Sequence, residues 1–159
     1  MKNKLLLLLL MFPMMAVSQT NVVGRMKLTL TVGLEVQEIC AMNWGKIIST
    51  GEGVCILNDL GRTATGKVTV AESDYSTNQF NIKGGQNALC GIALPTSATV
   101  TNGVTTLQII NLTSNAVNGI VTLNASGEAV LKIGGSVVIP AVFSGGNFTG
   151  SYNFVVAYN

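Results

Sequence analysis

At the end of the chain, Tyr152, Phe154, Val156 and Tyr158 alternate with Asn153, Val155 and Ala157. A period of two sets successive side chains on opposite faces of a pleated strand, whereas an amphipathic helix needs apolar positions three and four apart. The same alternation appears near the other end. There Met26, Leu28, Leu30, Val32, Leu34 and Val36 face one way, and Lys27, Thr29, Thr31, Gly33, Glu35 and Gln37 the other. Between these ends run short apolar stretches, broken roughly every ten residues by Gly, Asn, Asp and Ser. No stretch joins helical periodicity to helix caps. The pattern predicts an all-β chain, folded as an antiparallel β-sandwich.

Individual turns follow from the same punctuation. Residues 137–143 and 152–158 flank Ser144-Gly145-Gly146-Asn147, the pattern of a β-hairpin. Asn102-Gly103 reads as a tight hairpin turn. Residues 49–53 and 58–62 read as turns, and residues 79–82 and 90–95 as a strand pair joined through 84–87. The Gly-Gly pairs at 84–85, 134–135 and 145–146 also read as turns, because none lies between a strand and a helix as a phosphate loop requires. Trp44, the single tryptophan, reads as a core anchor.

The first eighteen residues read as a secretory signal peptide: Lys2 and Lys4, an apolar run from Leu5 to Phe12, then Ala16-Val17-Ser18 before a cut after Ser18. That run falls short of the roughly 20 residues a membrane span needs, so no transmembrane span is expected in the mature form. No cysteine follows the cut, which argues against a lipid anchor. The expected organisation is residues 1–18 as signal peptide, 19–33 as an N-terminal strand and 34–159 as the β-domain. Without Lys2 and Lys4, basic and acidic residues are equal in number. A near-neutral chain with no basic cluster is not expected to bind nucleic acid.

The N-terminal alternation has two readings. It is a first strand packed on its own core, or its part before Gly33 is a strand added to the open edge of a neighbouring molecule. In the second reading Met26, Leu28, Leu30 and Val32 form the strand-exchange face. Cys40, Cys55 and Cys90 suggest one disulfide and one leftover thiol in an oxidising compartment. Cys40–Cys90 and Cys40–Cys55 both stand as pairings.

Chemistry is sparse. The chain has no histidine, so no Ser-His-Asp or Cys-His arrangement and no histidine metal site can form. Its seven acids are scattered over turns and polar strand faces. Glu72 and Asp74 lack the spaced oxygen ligands of a calcium loop and read as a solvated turn. Asn111, Asn124 and Asn147 begin Asn-x-Ser/Thr triplets, which a chain rich in Asn and Thr produces by coincidence. Tyr75, Phe143, Phe148, Tyr152 and Tyr158 could stack on a sugar, but strand packing accounts for aromatic residues without a ligand. No catalytic, cofactor or metal site is expected.

Several stretches carry a resemblance in the right order. Leu34-Glu35-Val36 leads to Met42-Asn43-Trp44-Gly45-Lys46-Ile47, and Arg62-Thr63-Ala64-Thr65-Gly66-Lys67-Val68 follows. Then come Phe80-Asn81-Ile82-Lys83-Gly84, Ile92-Ala93-Leu94-Pro95, Leu131-Lys132-Ile133-Gly134-Gly135 and the ending Val155-Val156-Ala157-Tyr158-Asn159. Over residues 34–159 this is similar to a bacterial secreted family of unknown function, close to spore-coat-protein-U and chaperone–usher pilin domains. The resemblance implies a pilin-like, immunoglobulin-like β-sandwich, exported to the periplasm and the outer cell surface. It implies a non-catalytic structural or adhesive role, resembling a fimbrial or coat subunit. Partners would be copies of the chain or a related subunit, joined by strand addition, and a periplasmic chaperone. The alternative is a self-sufficient secreted module that binds a glycan or a surface protein.

Overall fold

A computed structural model describes residues 25–28 and 30–159. The signal-peptide segment, residues 1–18, lies outside the described residues. The chain divides into two units, Met1–Leu30 and Thr31–Asn159. The described residues of the first unit have no regular secondary structure, and Met26, Leu28 and Leu30 are exposed.

The second unit is all-β and antiparallel, with no helix among the described residues. Its ten strands are β1 (Glu35–Cys40), β2 (Ile47–Asn58), β3 (Gly61–Val70), β4 (Asn78–Lys83), β5 (Leu89–Ala93), β6 (Ser97–Thr101), β7 (Thr106–Ser114), β8 (Ile120–Thr122), β9 (Glu128–Ile139) and β10 (Val155–Tyr158). Seven form one sheet in the order β1-β4-β9-β2-β3, with β7 also on β9 and β6 on β7. The other three form a second sheet, β10-β5-β8.

The long β9 is the hub. Its residues 128–133 pair with β4, residues 135–139 with β2, and β7 pairs with positions from Ile133 to Val138. Gly134 sits where β9 passes from one partner to the next. A Cβ there would lie 2.2 Å from the Leu57 carbonyl oxygen, so only glycine admits this approach of two backbones. Gly134 and Gly135 are therefore buried strand residues, not the turn that a Gly-Gly pair suggests. Residues 49–53 likewise belong to β2, where the register with β3 shifts between Ser49 and Gly53; the glycines mark an irregularity in a strand.

Two other expectations fail on connectivity. Residues 137–143 and 152–158 do not form a hairpin: β9 stays in the large sheet while β10 crosses to pair with β5. Pro140, which has no amide hydrogen to donate, follows β9 directly. Nor do residues 79–82 pair with 90–95, because β4 lies between β1 and β9 and β5 lies in the other sheet. Asn102-Gly103 does turn the β6–β7 hairpin, with Asn102 Oδ1 accepting from the Val104 and Thr105 amides.

The core falls into two clusters. One gathers Cys55, Val68, Leu107, Ile109, Val137 and Ile139 from the large sheet. The other joins both sheets through Ile82, Leu131 and Ile133 on one side and Cys90 and Val121 on the other, with Leu123 beside them. The inward face of the C-terminal run, Tyr152, Phe154, Val156 and Tyr158, packs against this second cluster.

Candidate functional site: an apolar groove opening on both core clusters

Cores are normally closed by neighbouring strands, but here a cavity of about 670 Å³ reaches solvent from the interior. One wall is the link from β1 to β2, carrying Met42 and Trp44, together with Ile47 at the start of β2. Residues 146–152, the link towards β10, form more of the wall, with Phe148 and Tyr152. Leu107, Ile109 and Val137 of the first cluster line it, as do Phe80 and Phe154 beside the second. Phe80 and Phe154 hold each other in a tilted pair with ring centroids 4.8 Å apart. The groove thus reaches down to side chains that both clusters use for packing, with Leu107, Ile109 and Val137 buried at its floor.

Its walls are held from behind. Asn43 exchanges backbone hydrogen bonds with Ser76, and the Lys46 amide donates to Ser73 Oγ at 2.7 Å. Arg62 of β3 donates through Nη1 to the Trp44 carbonyl and through Nη2 to the Ala71 carbonyl, while its guanidinium lies 5.0 Å from the Tyr75 ring centre. A charged donor shared between two carbonyls fixes a loop more firmly than neutral bonds would. Trp44 is accordingly only part-buried: its ring packs on the first cluster and forms groove wall, and its Nε1 is buried without a hydrogen-bond partner.

One polar network crosses the groove. Asn78, 4% exposed, donates through Nδ2 to Glu38 Oε1 at 2.5 Å and to the Cys40 carbonyl at 2.7 Å. Its Oδ1 accepts from the Tyr152 hydroxyl at 2.7 Å. Burial, and secondarily the Glu38 carboxylate, push the Tyr152 phenol up to about 12. Tyr152 therefore stays a neutral donor at any physiological pH. Its role is to tie the 146–152 wall to β4. Nothing in the local sequence marks Asn78 as buried, since a lone Asn at a strand start reads as polar surface.

Beside the groove, Gly150 abuts the Thr99 carbonyl of β6, whereas the backbone of residues 151–154 makes no backbone hydrogen bond among the described residues. The strand that follows, β10, pairs on one side only, with β5. Extended chain with unpaired amides and carbonyls is an open edge.

The sequence-derived sites are placed as follows. Met26, Leu28, Leu30 and Val32 do not belong to a strand; they are 101%, 87%, 89% and 61% exposed. The regular strand begins only at Glu35. The Val32 carbonyl accepts from the Tyr158 hydroxyl at 2.9 Å, which in turn accepts from the Gly85 amide. All three cysteines are free thiols, so neither Cys40–Cys90 nor Cys40–Cys55 is formed. Cys55 and Cys90 are fully buried in different clusters, and Cys40 sits part-buried on β1. Burial raises the pKa of both buried thiols, with Arg62 partly opposing it at Cys55. Among the described residues no three His, Cys, Asp or Glu side chains gather where they could hold a metal ion. No helix among them is long and apolar enough to cross a membrane.

An all-β, antiparallel domain with this span matches one known family. The chain belongs to the family described as "Domain of unknown function (DUF4402)", which matches residues 34–158. No curated protein and no solved structure matches it.

Proposed function

We propose that this chain is an exported, non-catalytic structural or adhesive subunit of a bacterial surface assembly, resembling a fimbrial or coat protein. In this reading the two sheets are an immunoglobulin-like sandwich with one strand position left open, and the signal peptide directs export before cleavage after Ser18. The observation that carries the reading is the groove: a core that opens to solvent beside an unpaired backbone edge calls for a strand from elsewhere. A closed sandwich would need no partner. The chemistry of the groove supports the reading too, since apolar and aromatic side chains dominate it and Glu38, Asn78 and Tyr152 bind one another.

A second reading, a self-sufficient module for a glycan or surface protein, draws on Trp44, Phe148 and Tyr152 in the same groove, since aromatic faces stack on sugars. Fractionation of cells expressing the native gene separates the outcomes. The subunit reading expects the chain in the outer-surface fraction, in oligomers that survive sodium dodecyl sulfate without heating. A chain confined to the cytoplasm, or one that is surface-exposed but monomeric and retained on a glycan array, overturns it.

A further inference from the structure

The inward positions of the small sheet serve the second core cluster, but its outward face covers nothing. On β5, Cys90 lies in that cluster and Ile92 packs against it, so Leu89, Gly91 and Ala93 point the other way. The register sets Val155 beside Ala93, Ala157 and Ile120 on either side of Gly91, and Thr122 beside Leu89. Leu89, Ala93, Val155 and Ala157 are exposed, and none of these outward residues belongs to either core cluster. The solvated face of an antiparallel sheet normally alternates to polar side chains. Here Thr122 is the one polar side chain among them.

We propose that this face is a contact between two copies of the chain, packed sheet on sheet about a two-fold axis that crosses β5 over Gly91. The contact is separate from the groove and does not depend on the surface-subunit reading.

Three observations point to a second copy. The first is Gly91 itself. A Cβ added there would meet only the Ala157 carbonyl oxygen, at 3.9 Å, and its φ is not positive. Nothing in its own molecule therefore requires glycine at the centre of this sheet, where glycine weakens a strand. An interior strand glycine with an open outward side suits the close approach of another backbone. The second observation is charge. Residues 84–127 and 133–159 contain no Asp, Glu, Lys or Arg, and β5, β8 and β10 all lie within them. A second copy of the face is equally neutral, so pairing buries no unpartnered charge. The third is size. An axis at Gly91 sets Leu89 of each copy over Ala93 of the other, large against small, with glycine facing glycine at the centre. A sugar would find no aromatic plane here to stack on. Three strands by five residues give a patch of roughly 14 Å by 17 Å. That is about a third of the ~800 Å² each partner buries in a standard interface, so the pairing is weak and reversible.

Sedimentation equilibrium of the whole mature chain, carried up to about 1 mM so that a weak dimer is populated, reads the contact. Leu89→Glu and Ala93→Lys each set a charge against the neutral face of the other copy and are expected to weaken association at least ~10-fold, with unchanged circular dichroism. Combined in one chain as L89E/A93K, the introduced charges meet across the axis twice, and association should return, more strongly at low salt. Gly91→Ala should leave the urea midpoint of the monomer unchanged or higher yet weaken association, because two methyl groups then meet at the axis. Thr65→Glu, at an exposed position on β3 in the other sheet, should change neither.

A wild-type chain that stays monomeric throughout overturns the inference. So do variants at 89 and 93 that associate as the wild type does, which would assign assembly to another surface, the groove included. A double variant as weak as its two parents removes the two-fold register and the proposal with it.

Discussion

Two stretches of this chain carry the same pattern and meet opposite fates. Residues 152–158 and residues 26–32 each place four apolar or aromatic side chains at every second position. In the first, Tyr152, Phe154, Val156 and Tyr158 pack on a core cluster and β10 pairs with β5. In the second, the described residues form no strand, and Met26, Leu28, Leu30 and Val32 are largely exposed. Period two says which side chains share a face, but not whether a partner strand exists to cover it. Partner supply is a long-range matter, decided by topology.

The comparison breaks most sharply at Phe154. Its ring lies against Phe80, lines the groove and packs on the second cluster. Phe154→Ala should cost about 3 kcal/mol, at the low end for buried aromatics because the groove already admits solvent. Urea unfolding of the monomer measures it; a loss below about 1 kcal/mol would mean the C-terminal run is as loosely held as the N-terminal one.

Next comes the hub strand. Gly134→Ala pushes a methyl group against the Leu57 carbonyl and should destabilise by about 1–3 kcal/mol, through the junction where β9 changes partners. Gly145, where an added Cβ meets nothing within 4 Å, is the control, and Gly145→Ala should change the urea midpoint little. Equal effects at the two positions would remove the argument from backbone approach.

Gly134-Gly135 and Asn102-Gly103 show how far the sequence could be read. Alternation and turn spacing disclosed the antiparallel, all-β character, and Asn102-Gly103 disclosed its hairpin. The Gly134-Gly135 pair misled because close packing and tight turning both demand glycine, and only a neighbouring strand tells them apart. The supposed hairpin of residues 137–158 misled because adjacent strands in sequence often pair, whereas here the chain crosses between sheets after Pro140. The groove was not legible at all. It is made by residues 41–47 and 146–152, which are a hundred residues apart in round terms and carry no shared motif. The sequence also shows an alternating apolar face at residues 26–32, of which the described residues belong to no strand.

A smaller effect tests how the groove wall is held. The Tyr152 hydroxyl donates to Asn78 Oδ1, and its phenol is pushed up to about 12 by burial and by Glu38. The folded chain keeps a proton that the unfolded chain releases above pH 10. Stability should therefore fall as pH rises from about 10 to about 12, by on the order of 1–2 kcal/mol once partial exposure is discounted. Tyr152→Phe leaves Asn78 Oδ1 without its donor and should cost about 1–2 kcal/mol at neutral pH, while flattening that alkaline slope. A slope that survives the substitution would assign it to another group.

The smallest expected effect completes the comparison. Leu28→Ala removes as many methyl groups from an alternating apolar face as a core Leu→Ala does, yet in the dilute monomer it should change unfolding stability by less than about 0.5 kcal/mol, because Leu28 is 87% exposed. If copies assemble as the surface-subunit proposal holds, the same substitution should lower the apparent melting temperature relative to wild type at high concentration, since a partner that binds only the folded state stabilises it by mass action. Under that proposal, concentration is the variable that turns one leucine from surface to core. A Leu28→Ala effect of equal size at every dilution would mean that its burial partner lies within the same molecule.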